Sequence, residues 1–506
     1  MTRQVPEHEV LIVGAGFAGL CAAIRLKDAG VRDFVILERA DDIGGTWRDN
    51  RYPGVAVDIP SVMYQFSFAQ TGGWRRVFAR GAEVKSYIDD VATRHRLREH
   101  VQFGHEVTAA EFDDRGHFWT LTTAGGREIT ARFVISAHGI FGKPQLPKID
   151  GIDEFAGRKL HTLQWDQGYD PSGDRVAVIG TGATAVQLVP EVAKTAARLD
   201  VYQRTPIWVV PRPDVAVSPR VRRLLAGVPP LRWAASGAVG AGIELAMLLG
   251  VPHHRRMPFL VKRIRRLSEL HLQRQVRDPR LRAELLPSYE FGCKRPALSN
   301  DYWRTFTRDN VGLVTDPIVR VLPHGVQTAD GTVREIDTLV LATGFQFMDR
   351  DSVPGFRVRG EGGVDLRDWW REHGFGAYEG ITVPRFPNLF VIPAPHFATS
   401  WSWLVIAETQ TLHAQRVISH ARERGATYAA VREEAYLRYF DEMNSGHEKG
   451  LFVTPACDGS NSYYLDPDGK PSAIRPQSSV TARWRAGHFP LRDYEVRAAY
   501  RAPVTV

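Results

Sequence analysis

The sequence predicts an α/β chain built from two Rossmann-like dinucleotide-binding domains with a helical insertion. Two glycine-rich turns, at 14–19 and 180–185, each follow a short apolar strand and open a helix. Between about 214 and 289 the chain carries long Arg/Leu-patterned stretches, such as Lys262 to Glu284, and no strand signal. A length of 506 residues, 43% of them hydrophobic, is enough for two or three packed domains.

The first unit reads EVLIVGAGFAG. Val10 to Val13 forms the strand, Gly14, Gly16 and Gly19 the turn, Leu20 to Ala29 the helix, and Phe34 to Leu37 the second strand, which ends at Glu38. The first glycine makes the tight turn, the second lets a pyrophosphate approach the backbone, and the third lets helix and strand pack closely. The helix N-terminus offers unpaired N–H groups to the phosphates. The second unit reads RVAVIGTGATA, with the strand Val176 to Ile179 and the motif Gly180, Gly182, Ala185. Glu38 lies 24 residues after Gly14, and Arg204 lies 24 residues after Gly180. One structural slot thus holds an acid in one unit and an arginine in the other. A carboxylate suits free ribose hydroxyls, whereas arginine suits a 2′-phosphate through charge-assisted bonds. The first site is therefore predicted to bind FAD and the second NADPH. With a hydride donor and a flavin in one chain, and no CxxC or iron–sulfur set, molecular oxygen is the expected electron acceptor.

Composition excludes several classes. The formal charge is +8 and only ten of the 65 basic residues are lysine. The arginines are spread along the chain apart from one short cluster, and no nucleic-acid motif accompanies them, so no nucleic-acid partner is expected. Cys21, Cys293 and Cys457 are few, odd in number and far apart. They suggest neither a metal site nor a redox couple, and point to a reducing, cytoplasmic setting. The N-terminus runs into the first strand without a signal-peptide core. Trp233 to Val251 is apolar and flanked by arginines, but Glu244 and several glycines make it a poor membrane span. A buried or interfacial helix is expected there, without stable membrane insertion.

Between the glycine motifs stands Phe155-Ala156-Gly157-Arg158-Lys159-Leu160-His161-Thr162-Leu163-Gln164-Trp165-Asp166. It resembles the Baeyer–Villiger monooxygenase fingerprint, FxGxxxHxxxW followed by Pro or Asp, at every fixed position. Gly44-Gly45-Thr46-Trp47, Tyr52-Pro53-Gly54 and Asp58 resemble a second pattern of that family, and Ala342-Thr343-Gly344 and Phe386-Pro387-Asn388-Leu389-Phe390 extend the likeness over nearly the whole chain. His161 is read as a residue that orients the two domains. The resemblance implies a discontinuous FAD domain (1–145 and 380–506), an NADPH domain (150–213 and 290–378) and a helical insertion (214–289), which Pro211, Pro213 and Pro229-Pro230 punctuate at its start.

The implied reaction inserts one oxygen of O2 beside a ketone carbonyl, giving an ester or lactone through a flavin C4a-peroxide. Negative charge develops on the peroxide and then on the adduct, and a fixed cation is the economical stabiliser. The resemblance puts that cation at Arg295, in Tyr289-Glu290-Phe291-Gly292-Cys293-Lys294-Arg295-Pro296, with Asp58 as its catalytic partner. It implies flavin contacts at Gly14, Gly16, Phe17, Gly19, Glu38, Gly45, Thr46, Trp47, Asp58 and Tyr64, with Val107 near the adenine. It implies NADPH contacts at Gly180, Thr181, Gly182, Ala183, Thr184, Ala185, Arg204, Thr205 and Lys294. Cys293 is read as a packed small residue. Ser460-Asn461-Ser462-Tyr463-Tyr464 stands where several family members have Ser-Trp-Tyr, and Ala398-Thr399-Ser400-Trp401-Ser402-Trp403 falls at the substrate pocket, so both depart from the pattern. The rival expectations are a heteroatom or carbon oxygenase on the same scaffold, an NADPH oxidase releasing hydrogen peroxide, and a non-catalytic nucleotide-binding protein.

Overall fold

The computed structural model describes residues 5–250, 258–399, 402–448, 450–466 and 468–498. Ser400 and Trp401 of the expected pocket segment, and Val251 at the end of the apolar stretch, lie outside the described residues.

The larger sheet is built on the first glycine unit. His8–Val13 lies between Phe34–Leu37 and Glu128–Ser136, parallel to both. The antiparallel strands Phe118–Thr123 and Val107–Asp113 extend one edge, and Val101–Gln102 closes the other. The central residues Val10 to Val13 and Phe34 to Leu37 are all buried, as strands covered on both faces require. Leu389–Val391 returns from far along the sequence to pair with Glu128–Ser136.

The smaller sheet is all parallel, in the order Val311–Val314, Arg198–Tyr202, Arg175–Ile179, Thr338–Leu341, Arg158–His161. Beside it sits an antiparallel three-stranded sheet, 318–335. The chain passes between the two units twice, through 137–146 and 342–347. The two passages run side by side: the Gln145 N–H donates to Gly344 O, the Thr343 hydroxyl to Gln145 O, and the Gln346 N–H to Lys143 O.

The expected domain boundary at 380 needs correction. Arg357–Arg359 pairs with Val107–Asp113 in the larger sheet, and Met348, Phe356, Trp369 and Trp370 belong to the larger core. The chain therefore re-enters the first domain by Met348. Hydrophobic pattern gives the existence of these elements but not the sheet they join, because both cores are lined by the same residue types. The insertion is helical, with Pro219–Gly227, Pro229–Gly250, Pro258–Gln275 and Pro279–Leu285. Each begins at a proline, which supplies a preset φ and needs no N–H partner in the first turn.

Candidate functional site

The first cradle is shaped by absent side chains. Gly14 sits at φ +101°, and a Cβ there would stand 2.6 Å from Ala137 O. A Cβ on Gly19 would collide with the carbonyl of Gly14. Gly16 and Gly45 face each other so closely that a Cβ on Gly45, at φ +51°, would lie 3.2 Å from the Gly16 Cα. Two bare backbone turns thus meet at the N-terminus of the helix Phe17–Asp28, where a pyrophosphate fits. Glu38 is buried and held by three donors: Ala15 N–H at 2.8 Å, Ala40 N–H at 3.1 Å and Arg48 Nη1 at 2.9 Å. Arg48, which sequence reasoning missed, is itself buried and also bonds Asp49 at 2.7 Å. No local pattern marks it, since its partner lies across a turn. Val107 is buried at the start of its strand, two residues after His105, whose N–H donates to Glu38 O at 2.9 Å.

An aromatic wall follows. The Trp47 Nε1–H donates to the Tyr64 hydroxyl at 3.1 Å, and Phe17 meets Tyr64 edge-on at 5.6 Å. Thr46 opens the short helical turn Thr46–Asp49. Burial pushes the Tyr64 phenol up, so it remains a neutral donor and acceptor. Tyr64 also feels the charges of Asp58 and Arg295.

Those two residues come together over a sequence separation of 237: Arg295 Nε donates to Asp58 Oδ2 at 2.7 Å. Burial alone would lower the Arg295 pKa. The Asp58 carboxylate and the nearby Tyr464 and Tyr463 outweigh it and raise the pKa, so the guanidinium keeps its charge at any working pH. Tyr463 is itself pushed up, first by burial and then by Tyr464. The Tyr463 and Tyr464 side chains therefore lie close enough to the cation to act on its charge.

The second cradle repeats the first with more room. Gly180, at φ +116°, has the Ala342 carbonyl where a Cβ would go, but nothing lies within 4 Å of a Cβ built on Gly182. Ala183, Thr184 and Ala185 form the first turn of the helix Ala183–Val192. The Thr181 hydroxyl donates to Thr205 O at 2.7 Å, and Asn461 Nδ2 donates to the Thr205 hydroxyl at 3.0 Å. Arg204 is exposed. Lys294 is pushed below the ordinary lysine range by burial and by the charge of Arg204. Neither cation pairs with a carboxylate among the described residues. Two neighbouring cations of this kind could hold a doubly charged anion such as a 2′-phosphate.

The two cradles are physically joined. The Tyr52 hydroxyl donates to Gln187 Oε1 at 3.0 Å, and Gln187 Nε2 donates to Ala56 O at 3.0 Å. His161 ends its strand at the paired crossings, where its Nδ1 accepts the Leu163 N–H at 3.1 Å and its ring meets Phe345 edge-on. Cys293 is buried and packed, as expected, but the reading of the cysteines as unpaired needs correction. Cys293 and Cys457 form a disulfide across 164 residues of sequence, while Cys21 is free and buried. A spacing that long carries no local signal.

Two glycine cradles linked by an Asp–Arg pair, one with an acid in the ribose slot and one with paired cations, define a flavoprotein oxidoreductase of the two-nucleotide kind. The family described as Pyridine nucleotide-disulphide oxidoreductase matches residues 11–229. A Baeyer–Villiger monooxygenase of Pseudomonas aeruginosa is 35% identical over 94% of this chain and 89% of its own. Another, of Streptomyces coelicolor, is 35% identical over 98% and 94%. A crystal structure of OTEMO in complex with FAD and NADP superposes with a TM-score of 0.86 at 27% identity, covering 97% of this chain and all of that one. The chain belongs to the Baeyer–Villiger monooxygenases, NADPH-dependent flavin enzymes.

Proposed function

We propose that this enzyme uses FAD and NADPH to insert one oxygen of O2 beside a ketone carbonyl, releasing an ester or lactone. The carrying observation is the Arg295–Asp58 pair at 2.7 Å, set between an aromatic wall and a cationic nucleotide cradle. FAD fits the Gly14, Gly16, Phe17, Gly19, Glu38 and Gly45 cradle, with Thr46, Trp47, Asp58 and Tyr64 along its ring system and Val107 toward the adenine. NADPH fits Gly180 to Ala185, Arg204, Thr205 and Lys294. When bound, the two groups supply the hydride and the oxygen-reactive centre.

The chain supplies the rest. Asp58 Oδ2 holds Arg295 Nε and fixes the plane of the guanidinium, a positioning role. Arg295 presents a charge that cannot be lost as a proton where oxyanion character develops, worth about 3 kcal/mol or more in a site cleared of water. Tyr64, Trp47 and Tyr463 exclude that water. Ketone chemistry is favoured over attack on nitrogen or sulfur by the Phe155 to Asp166 fingerprint, whose Trp165 is buried in the NADPH-domain core. The compartment that supplies NADPH is the cytoplasm, where we place the reaction.

Arg295→Ala is expected to leave flavin reduction by NADPH intact while ketone oxygenation falls by roughly 100-fold or more. NADPH then drains into hydrogen peroxide. Lactone formation at the unaltered rate would remove Arg295 from the mechanism.

A further inference from the structure

The helix Pro229–Gly250 is inverted. Its polar residues up to Leu245 turn toward the protein: Arg232 donates to Leu225 O, the Ser236 hydroxyl to Val62 O at 2.8 Å, and Glu244 Oε1 accepts the Ser479 N–H at 2.6 Å. Its exposed positions over the same span are Pro229, Pro230, Leu231, Trp233, Ala234, Gly237, Ala238, Ala241, Gly242 and Leu245, without a single polar side chain. Trp233 is 58% exposed and Leu245 57%. A surface helix ordinarily shows the opposite arrangement, and a continuous apolar face of this length marks an interaction site.

Charge says what covers it. Residues 215–277 hold twelve Lys and Arg against Glu244 and Glu269, a net +10, while the other 443 residues hold 53 basic against 55 acidic side chains, a net −2. The protein's basicity is thus confined to the segment that carries the apolar helix. The neighbouring helix Pro219–Gly227 exposes Arg220, Arg223 and Leu224, and Pro258–Gln275 exposes Phe259, Lys262, Arg263, Arg266 and Leu267. An apolar strip with a tryptophan, edged by cations, matches the acyl–headgroup boundary of an anionic bilayer. A second copy of this chain would bring like charge to like charge.

We propose that the insertion is a peripheral membrane-docking surface: the Pro229–Leu245 face lies in the headgroup boundary of an anionic phospholipid layer while the flanking arginines bind its phosphates. Among the described residues no helix is long and apolar enough to span the bilayer. The docked helix rests on the turn Ser61–Met63, between Asp58 and Tyr64, so an apolar substrate dissolved in the lipid would be released close to the reaction site. The proposal rests on the surface and not on the oxygenation reaction.

The test is sedimentation of the FAD-loaded enzyme with vesicles of phosphatidylcholine alone, or with about one third phosphatidylglycerol. Binding only to the anionic vesicles, weakened by salt and reduced roughly tenfold in Ala238→Glu and in Trp233→Glu with activity on a water-soluble ketone kept, is expected. Absence of binding to either vesicle overturns the proposal. So does concentration-dependent dimerisation that Ala238→Glu abolishes, since a second copy is then the occupant. Binding to polyglutamate as tight as to vesicles and indifferent to Ala238→Glu also overturns it, in favour of an acidic protein.

Discussion

Glu38 and Arg204 fill the same slot in two versions of one βαβ unit, yet their surroundings differ sharply. Glu38 is buried under three donors, one of them a buried arginine, whereas Arg204 is exposed, pairs with no carboxylate among the described residues and has the like charge of Lys294 nearby. The chain's own donors hold the Glu38 carboxylate, so its ordering cost falls on folding. The second places two like charges near each other, which a bound 2′-phosphate would offset. The two slots thus differ in how far the chain itself satisfies the group that would face the ribose.

The largest expected effect breaks the contrast at its tightest point. Gly19→Ala puts a methyl into the Gly14 carbonyl, and purified protein should be nearly colourless, read as flavin absorbance per chain. The matching position in the second unit is already Ala185, so Ala185→Gly should keep its flavin and cost only the helix penalty of about 1 kcal/mol in thermal unfolding. Equal flavin loss from both would erase the distinction between the cradles.

A smaller effect sharpens it. Arg204→Ala and Lys294→Ala should each raise the KM for NADPH by roughly 10- to 100-fold, as loss of a charge-assisted bond does, with KM for NADH and flavin content little changed. Flavin loss in either variant would mean that the two sites are one cooperative unit.

The smallest is a pH effect. Lys294 is depressed by burial and by Arg204, so its ammonium is present at low pH and lost as pH rises, earlier than for an ordinary lysine. The kcat/KM for NADPH should fall on the alkaline side below the usual lysine range of about 10.4, while that for NADH stays flat. Lys294→Arg should remove the fall; an unchanged profile would assign it to another group.

What the sequence made legible was whatever sits on a local pattern. The two glycine turns, the acid and the arginine at matching offsets, and the helical character of the insertion are all set by neighbours within one supersecondary unit. Asp58 and Arg295 were legible only through family resemblance, since no periodicity connects positions 237 residues apart. Arg48 under Glu38, the re-entry of the chain at Met348 and the Cys293–Cys457 bond were not legible. Each depends on which surfaces meet, and both cores use the same apolar alphabet. The exposed apolar helix was visible as a composition, but only its packing shows that its polar residues face inward.

The disulfide turns the chain from Cys293 to Cys457 into a closed covalent ring, and that ring contains both the return into the first domain and the strand Leu389–Val391 at its centre. A single protease cut within it leaves both fragments bound, so the oxidised enzyme would survive a nick as one molecule and come apart on a gel only under reductant. The ring closes one residue before Lys294, and Asn461 and Tyr463 follow just beyond its other end. Lys294 and Arg295 are therefore tied, through the Cys293–Cys457 bond, to the segment that carries Asn461, Tyr463 and Tyr464.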